Sequence, residues 1–316
     1  MHKKIAQLAN FLKTTGGRIG LVTHLNPDGD AIGSLLGLYL FLKKAGKDVT
    51  PYMMDKVPSF LDFLPGLNSI KNKLDHNLDL LILLDASEFS RTGFEVPERT
   101  PVIRIDHHIS GKNYSEFDII ITEAPSTASI ILELIQQYDA TLLEIDIKKC
   151  LYTGLLTDTS SFRHSNSFRW AFKDAYFLVS NGLDVTDIAS LVYERKKLKT
   201  LVLLARVLST ISVKEGVAFI TIRKEFLDEL NLDKSETEGF VNYPLSIDEA
   251  IVGVSLVEMD RDTWRVSLRG KNKVNLSKVA ETFGGGGHFN AAGCTINGNL
   301  NEAIEAIVKT VKLYRI

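Results

Sequence analysis

Sulfur is scarce in this chain: only Cys150 and Cys294 occur among 316 residues. That is too few for a disulfide framework, and a reducing, cytoplasmic compartment is the expected one. Charge of one sign is not in excess either. Lys and Arg total 37 against 39 Asp and Glu, which leaves no broad positive field for long duplex nucleic acid, so an anionic substrate has to be held locally. No apolar run approaches the length of about 18 residues that a membrane-spanning helix needs. Ile5 to Leu12 contains Gln7 and Asn10 and is followed by no small-residue cleavage site, so an amphipathic first helix is expected in place of a leader. Walker loops, a Gly-x-Ser-x-Gly elbow and Cys-x-x-Cys pairs are missing too, which removes the main support for nucleotide triphosphatase, serine hydrolase and structural zinc functions.

What is present is ordinary globular composition, 45% apolar and 24% charged, over a length that suits two domains. Seven of the eight prolines lie between Pro27 and Pro125, so the halves differ in construction. Short aliphatic runs at Ile19 to Val22, Leu80 to Leu84 and Val102 to Ile105, with a further strand at Phe117 to Ile121, alternate with or precede helical patterns. Those helices are expected at Ala31 to Lys44, Thr127 to Gln137, Ile147 to Leu156 and Phe168 to Val179. Alternation of this kind predicts an α/β domain over residues 1–185, a mostly parallel sheet flanked by helices. Residues 186–210 stay helical in pattern and read as a connection, its cationic Arg195 to Lys199 segment forming a solvated helix face. Residues 211–316, with strands near 217–222, 251–257 and 264–268 and a helix at 277–282, predict a smaller α+β domain.

The densest chemistry is His24-Leu25-Asn26-Pro27-Asp28-Gly29-Asp30, directly after the first strand. Two carboxylates and an imidazole on a bent loop suit a divalent cation; they also suit a plain helix cap ahead of Ala31. An EF-hand fails, because Ala31 and Gly37 stand where that loop needs glycine and a bidentate Glu. The same pattern then repeats: Asp85 ends one strand run, Asp106-His107-His108 ends another, and Asp158 follows the apolar run to Leu156. In a parallel sheet the strand ends share one edge, so these groups are expected in one crevice. Such a concentration of carboxylates calls for cations, and the mixture of Asp and His suits Mn²⁺ better than Ca²⁺. Five of the seven histidines, all but His2 and His76, fall in such segments. In the second half, Gly284-Gly285-Gly286-Gly287-His288 can bring backbone N–H groups close to a phosphate, or form a turn between helix and strand. Arg265 and Arg269, four apart on a strand, share a face and could hold phosphate.

His24 to Asp30, Asp85, Asp106-His107-His108 and Asp158 resemble, in order, the four motifs of the DHH phosphoesterase family. The run Gly284 to His288, with Ala291-Ala292-Gly293, resembles the glycine-rich motif of its DHH-associated C-terminal domain. By length the chain is similar to the stand-alone nanoRNase branch, the bifunctional oligoribonucleases and pAp phosphatases. Ser129 departs from the pattern, at a position where an acid is expected. The resemblance implies a hydrolase with two divalent cations, Mn²⁺ being the expected ion. His24, Asp28 and Asp85 would hold one cation; Asp30, Asp85, His107 and Asp158 would hold the other, with Asp85 bridging. Asp106 would orient a ligand histidine, His108 would meet the scissile phosphate, and Arg163 and His164 would add positive charge. Arg265, Arg269, Gly285, Gly286, Gly287 and His288 would bind the far end of a short single-stranded RNA, a dinucleotide such as pApA or pGpG, or pAp. No membrane partner is expected, and a homodimer is compatible with the reading. A cyclic dinucleotide phosphodiesterase, a manganese-dependent inorganic pyrophosphatase and a non-catalytic nucleotide sensor are the alternatives.

Overall fold

The computed structural model describes residues 2–96, 99–163, 167–180 and 182–316. The chain divides into two compact units, Met1–Arg195 and Lys196–Ile316. In the first unit the elements run α1 (His2–Thr14), β1 (Arg18–Val22), α2 (Gly29–Lys44), β2 (Asp48–Tyr52), β3 (Leu80–Leu84), β4 (Val102–Asp106), β5 (Ile119–Ile120), α3 (Thr127–Asp139), α4 (Ile145–Asp158), α5 (Phe168–Val179) and α6 (Val185–Tyr193). The five strands form one parallel sheet in the order β2-β1-β3-β4-β5. Every residue of β3 and β4 is buried, as expected for strands covered on both faces. The chain moves from β1 outward to β2 and then returns to the other side of β1 as β3. The reversal opens a crevice at the carboxyl ends of β1 and β3, the place where open α/β sheets bind ligands.

Two expectations need correction here. β2 has no counterpart among the expected strands, because Pro51 interrupts its pattern; the strand lies at the sheet edge, where a missing N–H costs no ladder bond. The strand expected over 117–121 shrinks to Ile119–Ile120, because Asp118 turns its carboxylate back to accept from the Arg104, Tyr114 and Ser115 amides and so replaces strand pairing with a side-chain turn.

The helical connection over 186–210 consists of two helices. α6 ends at Tyr193, and Ile188 and Val192 belong to the first core. α7 (Leu198–Leu208) places Leu203, Leu204 and Val207 in a core of the second unit. The cationic segment is solvated as expected, but Arg195 to Lys197 lies in the break between the helices and not on a helix face; there Arg195 pairs with Asp62 at 2.7 Å and Lys197 with Glu236 at 2.5 Å.

The second unit continues with β6 (Ser212–Lys214), β7 (Val217–Ile222), α8 (Lys224–Leu230), α9 (Asn242–Leu245), β8 (Val252–Asp260), β9 (Thr263–Gly270), α10 (Leu276–Glu281), β10 (Gly286–Gly287), β11 (Ala291–Asn297) and α11 (Leu300–Leu313). Its six strands are ordered β10-β11-β9-β8-β7-β6, antiparallel except for β7 with β8. Alternate residues of β7 serve two cores, Val217 and Phe219 on one face, Ile220 and Ile222 on the other, as the two-residue period of a strand dictates. Among the described residues no helix is long and apolar enough to cross a membrane.

Within α5 the buried stripe is Ala171, Asp174 and Leu178, so a carboxyl occupies an apolar register position. Asp174 Oδ2 is the one buried side-chain polar atom without a hydrogen-bond partner among the described residues. Burial pushes the Asp174 carboxyl up to about 7, against the hydrogen bond from Ser129. An acid that binds its proton more tightly when folded destabilises the fold progressively as pH rises from about 4 to about 7. Asp174→Asn is therefore expected to raise thermal stability by an amount that is negligible near pH 4 and reaches a plateau, on the order of 4 kcal/mol, above pH 7. Melting curves of both proteins across that range check it; a gain independent of pH would contradict the assignment.

Candidate metal centre

Each strand on the crevice delivers its acid or imidazole in a defined backbone setting. After β1 the chain turns through Asn26, whose φ is +52°, and Asp28 caps α2, its Oδ1 accepting from the Asp30 and Ala31 amides at 3.0 Å. The helix cap that this loop's composition allows is thus real, and it occupies one oxygen of Asp28. Asp30, in the first turn of α2, is 1% exposed. Its Oδ2 accepts from Thr127 N at 2.6 Å, and its Oδ1 from Ala128 N at 2.9 Å and Ser34 Oγ at 3.1 Å. The orphan amides at the start of α3 therefore end on Asp30, where the positive end of the helix dipole offsets part of its charge. Gly154 of α4 makes room for this: a Cβ there would meet Asp30 Oδ1 and Ala128 Cβ, each at 2.8 Å.

Asp85 follows β3 with φ +54°, a left-handed conformation that Asp and Asn tolerate better than most residues. Its two oxygens look in different directions. Oδ2 lies 3.7 Å from His24 Nε2, whereas Oδ1 lies 3.7 Å from His107 Nε2 and accepts from Thr127 Oγ1 at 2.9 Å. His107 Nε2 is also 3.5 Å from Asp158 Oδ2 and 3.9 Å from Asp30 Oδ2. Among the groups whose ligand atoms lie within 4.8 Å of one another are His24 with Asp28 and Asp85, Asp30 with His107 and Asp158, and Asp85 with Asp106 and His108. Oxygen and imidazole donors at this spacing fit divalent cations.

Both imidazoles are presented the same way. The Nδ1 of His24 faces the Leu25 carbonyl at 2.8 Å and that of His107 faces the Ala124 carbonyl at 3.3 Å. Nδ1–H donation to a carbonyl directs Nε2 to the carboxylates, the tautomer a metal ligand requires. Asp106 meets both histidines that follow it. Its Oδ1 accepts from the amides of His107 and His108 and, at 2.7 Å, from His108 Nδ1. The ring it orients is that of His108, and it meets the ligand candidate His107 through the amide.

Protons stand in for cations in this cluster. Burial opposes charge on His24, but the Asp85 and Asp28 carboxylates outweigh it and push its pKa up to about 9. Burial likewise opposes charge on His107, and Asp158, Asp85 and Asp30 together push it up to about 9. Asp158 moves up to about 6 through burial, with Asp28 and Asp85 adding repulsion against the pull of His107. Asp30 moves well above the usual carboxylate range through burial and then through Asp85 and Asp158. Asp85 is held below that range: burial resists, but His24, His108 and His107 surround it.

Arg163 is exposed on the turn beyond α4, its Nε donating to the Ser160 carbonyl at 2.8 Å, and His164 lies outside the described residues. Ser129 is buried in α3, its amide bonded to the Ser126 cap. In the second unit, Arg265 is exposed and Arg269 half-buried on one face of β9, with Arg269 paired in register to Ala291. His288 N donates to the Ala291 carbonyl at 2.7 Å, so the glycine-rich turn and Arg269 meet at one residue of β11. Gly286 pairs with Gly293 and Gly287 with Ala292. Gly287 has φ +147°, and a Cβ there would lie 2.4 Å from the Ala291 carbonyl; glycine at that position is required by strand pairing alone.

Sequence reasoning missed Arg104, which is 1% exposed within β4 and paired to Asp106. The signal was a lone cation inside an aliphatic buried strand.

Comparison with known proteins identifies the family. Residues 18–155 match the DHH family N-terminal domain and residues 214–314 the DHHA1 domain. A bifunctional oligoribonuclease and PAP phosphatase from Thermus thermophilus is 31% identical over 98% of this chain and 94% of its own length. An exopolyphosphatase-related protein from Bacteroides fragilis superposes with a TM-score of 0.89 at 30% identity, covering 99% of this chain and 97% of that one. The Mn²⁺ complex of RecJ from Thermus thermophilus shares the fold at a TM-score of 0.58 and 14% identity, over 98% of this chain and 54% of that one. The chain belongs to the DHH phosphoesterase family, a DHH domain followed by a DHHA1 domain.

Proposed function

We propose that the protein hydrolyses short 5′-phosphorylated oligoribonucleotides, linear dinucleotides among them, to mononucleotides, and pAp to AMP. The observation that carries the reading is Asp85, whose two oxygens face His24 and His107 separately. In this reading His24, Asp28 and Asp85 would hold one cation and Asp30, Asp85, His107 and Asp158 a second, both Mn²⁺; bound there, they would supply a water of lowered pKa and positive charge for the oxygens of a phosphoryl displacement. The protein's own part is placement. The Leu25 and Ala124 carbonyls fix the ligand imidazoles, the α3 amides hold Asp30, and Asp106 holds His108 where it can donate to the scissile phosphate. Residues 1–185 carry this chemistry, while Arg265, Arg269 and the segment from Gly285 to His288, within residues 211–316, take the far phosphate of the substrate. The name of the Thermus relative supports the substrate class, and so does a net charge of −2, since long RNA would need many phosphate contacts.

The test is Mn²⁺-dependent hydrolysis across pApA, pGpG, pAp, a pentamer, a long oligomer, cyclic dinucleotides and pyrophosphate. Dinucleotides and the pentamer should turn over fastest. Preference for pyrophosphate or for cyclic dinucleotides would replace this reading by the corresponding alternative, and binding without turnover of any of them would make the protein a sensor. Within the same panel, Arg269→Ala, and less strongly His288→Ala, is expected to raise KM for the dinucleotide about tenfold while leaving a small chromogenic phosphodiester nearly unchanged. Remote contacts help only substrates long enough to reach them. Equal losses on both substrates would contradict the assignment.

A further inference from the structure

A guanidinium buried to 1% exposure needs a reason, and Arg104 is surrounded by acceptors. Its Nε donates to Asp106 Oδ2 and to the Ala86 carbonyl, each at 3.0 Å. Nη2 donates to the same Asp106 oxygen, to the Ser110 carbonyl at 2.6 Å and to the His108 carbonyl at 3.3 Å. Nη1 reaches the Lys112 carbonyl at 3.4 Å. One side chain thus ties the end of β3 to four points along residues 106–112. The loop is wrapped closely around it: a Cβ on Gly111, whose φ is +120°, would meet the Ser87 carbonyl at 2.1 Å and Arg104 Nη1 at 2.6 Å.

Arg104 and Asp106 are two apart on one strand, so their side chains leave the same face. The carboxylate then divides its work. Oδ2 belongs to Arg104, and Oδ1 belongs to the His107 amide, the His108 amide and His108 Nδ1. With Oδ2 clamped, rotation of the carboxylate is blocked and Oδ1 has one place to be. The ring of His108 inherits that placement. A lysine could keep the charge, but it lacks the planar fork that meets a carboxylate and several carbonyls together.

We propose that Arg104 is a positioning residue for hydrolysis: through Asp106 it sets the orientation of His108 toward the scissile phosphate. The inference rests on the role given above to His108. It assigns Arg104 no contact with substrate and no share in holding metal.

A double-mutant cycle tests it, with Mn²⁺ saturating and a 5′-phosphorylated dinucleotide as substrate. Arg104→Met is expected to lower kcat by about 30-fold, the scale of a misplaced catalytic group, with KM and the Mn²⁺ dissociation constant each within about threefold of wild type. Arg104→Lys should recover little of that loss. In a His108→Ala background the same Arg104→Met change should cost less than about threefold, because the group it positions is gone. Equal costs in the two backgrounds, or loss of Mn²⁺ binding in step with kcat, would overturn the proposal. Should Arg104→Met fail to fold, Asp106→Asn and Arg104→Lys, which keep the shape or the charge of the pair, are run through the same cycle with the same criteria. Full activity of His108→Ala alone would instead refute the role of His108, an outcome separate from additivity in the cycle.

Discussion

Asp85→Asn should lose at least about 10³ in turnover, roughly 4 kcal/mol of barrier, while the protein stays folded. Asparagine is the informative replacement. It keeps the shape and accepts the left-handed backbone at φ +54°, so what is removed is the charge that faces both His24 and His107. A bridging carboxylate serves both cation positions, and its loss cannot be shared out among the remaining ligands. The measurement is kcat with Mn²⁺ beside a thermal melt. Retention of more than about a tenth of the wild-type rate, roughly 1.4 kcal/mol, would move Asp85 away from the centre of the mechanism.

Chelation is expected to have an effect as large. EDTA should silence hydrolysis, and Mn²⁺ should restore it better than Mg²⁺ at equal concentration, since Mg²⁺ keeps its waters and avoids nitrogen donors. The pH dependence has a definite sign. His24 and His107, pushed up to about 9 by the surrounding carboxylates, must give up their protons to bind metal, so Mn²⁺ affinity should rise with pH until about pH 9. The metal-free protein behaves oppositely. Imidazoles that gain acidic partners on folding contribute stability below about pH 6.5 and lose it as pH climbs through 9. Titrations and melts across pH 6 to 9 check both trends; affinity that falls over that interval would contradict the ligand set. Full activity of thoroughly stripped protein would remove cations from the account.

Much of this was legible before any coordinates. Buried parallel strands read as short aliphatic runs, and an acid at the end of each run marks the sheet edge where they converge. Asp85 and Asp106 follow that rule, and Phe168–Val179 has the predicted bounds. What stayed hidden falls into two kinds. Backbone groups leave no trace in residue identity: the Leu25 and Ala124 carbonyls that set the imidazole tautomers, and the α3 amides on Asp30, could be found only from geometry. Other residues carried a signal that pattern reading passes over. Arg104 sits inside Val102-Ile103-Arg104-Ile105, and Asp174 inside an apolar stripe, and each breaks a hydrophobic rule where a buried polar interaction, made or missing, is the reason. Pro51 hid β2 because proline is scored against strands in general, although an edge strand admits it.

Mn²⁺ stoichiometry decides whether Asp85 joins two ion positions. Stripped protein titrated with Mn²⁺ and followed by electron paramagnetic resonance should take up two ions per chain, with the spin coupling of a closely spaced pair, and Asp85→Asn should lose that coupling. Uptake of a single ion, or of two that show no coupling in the wild-type protein, would contradict a centre built around one bridging carboxylate.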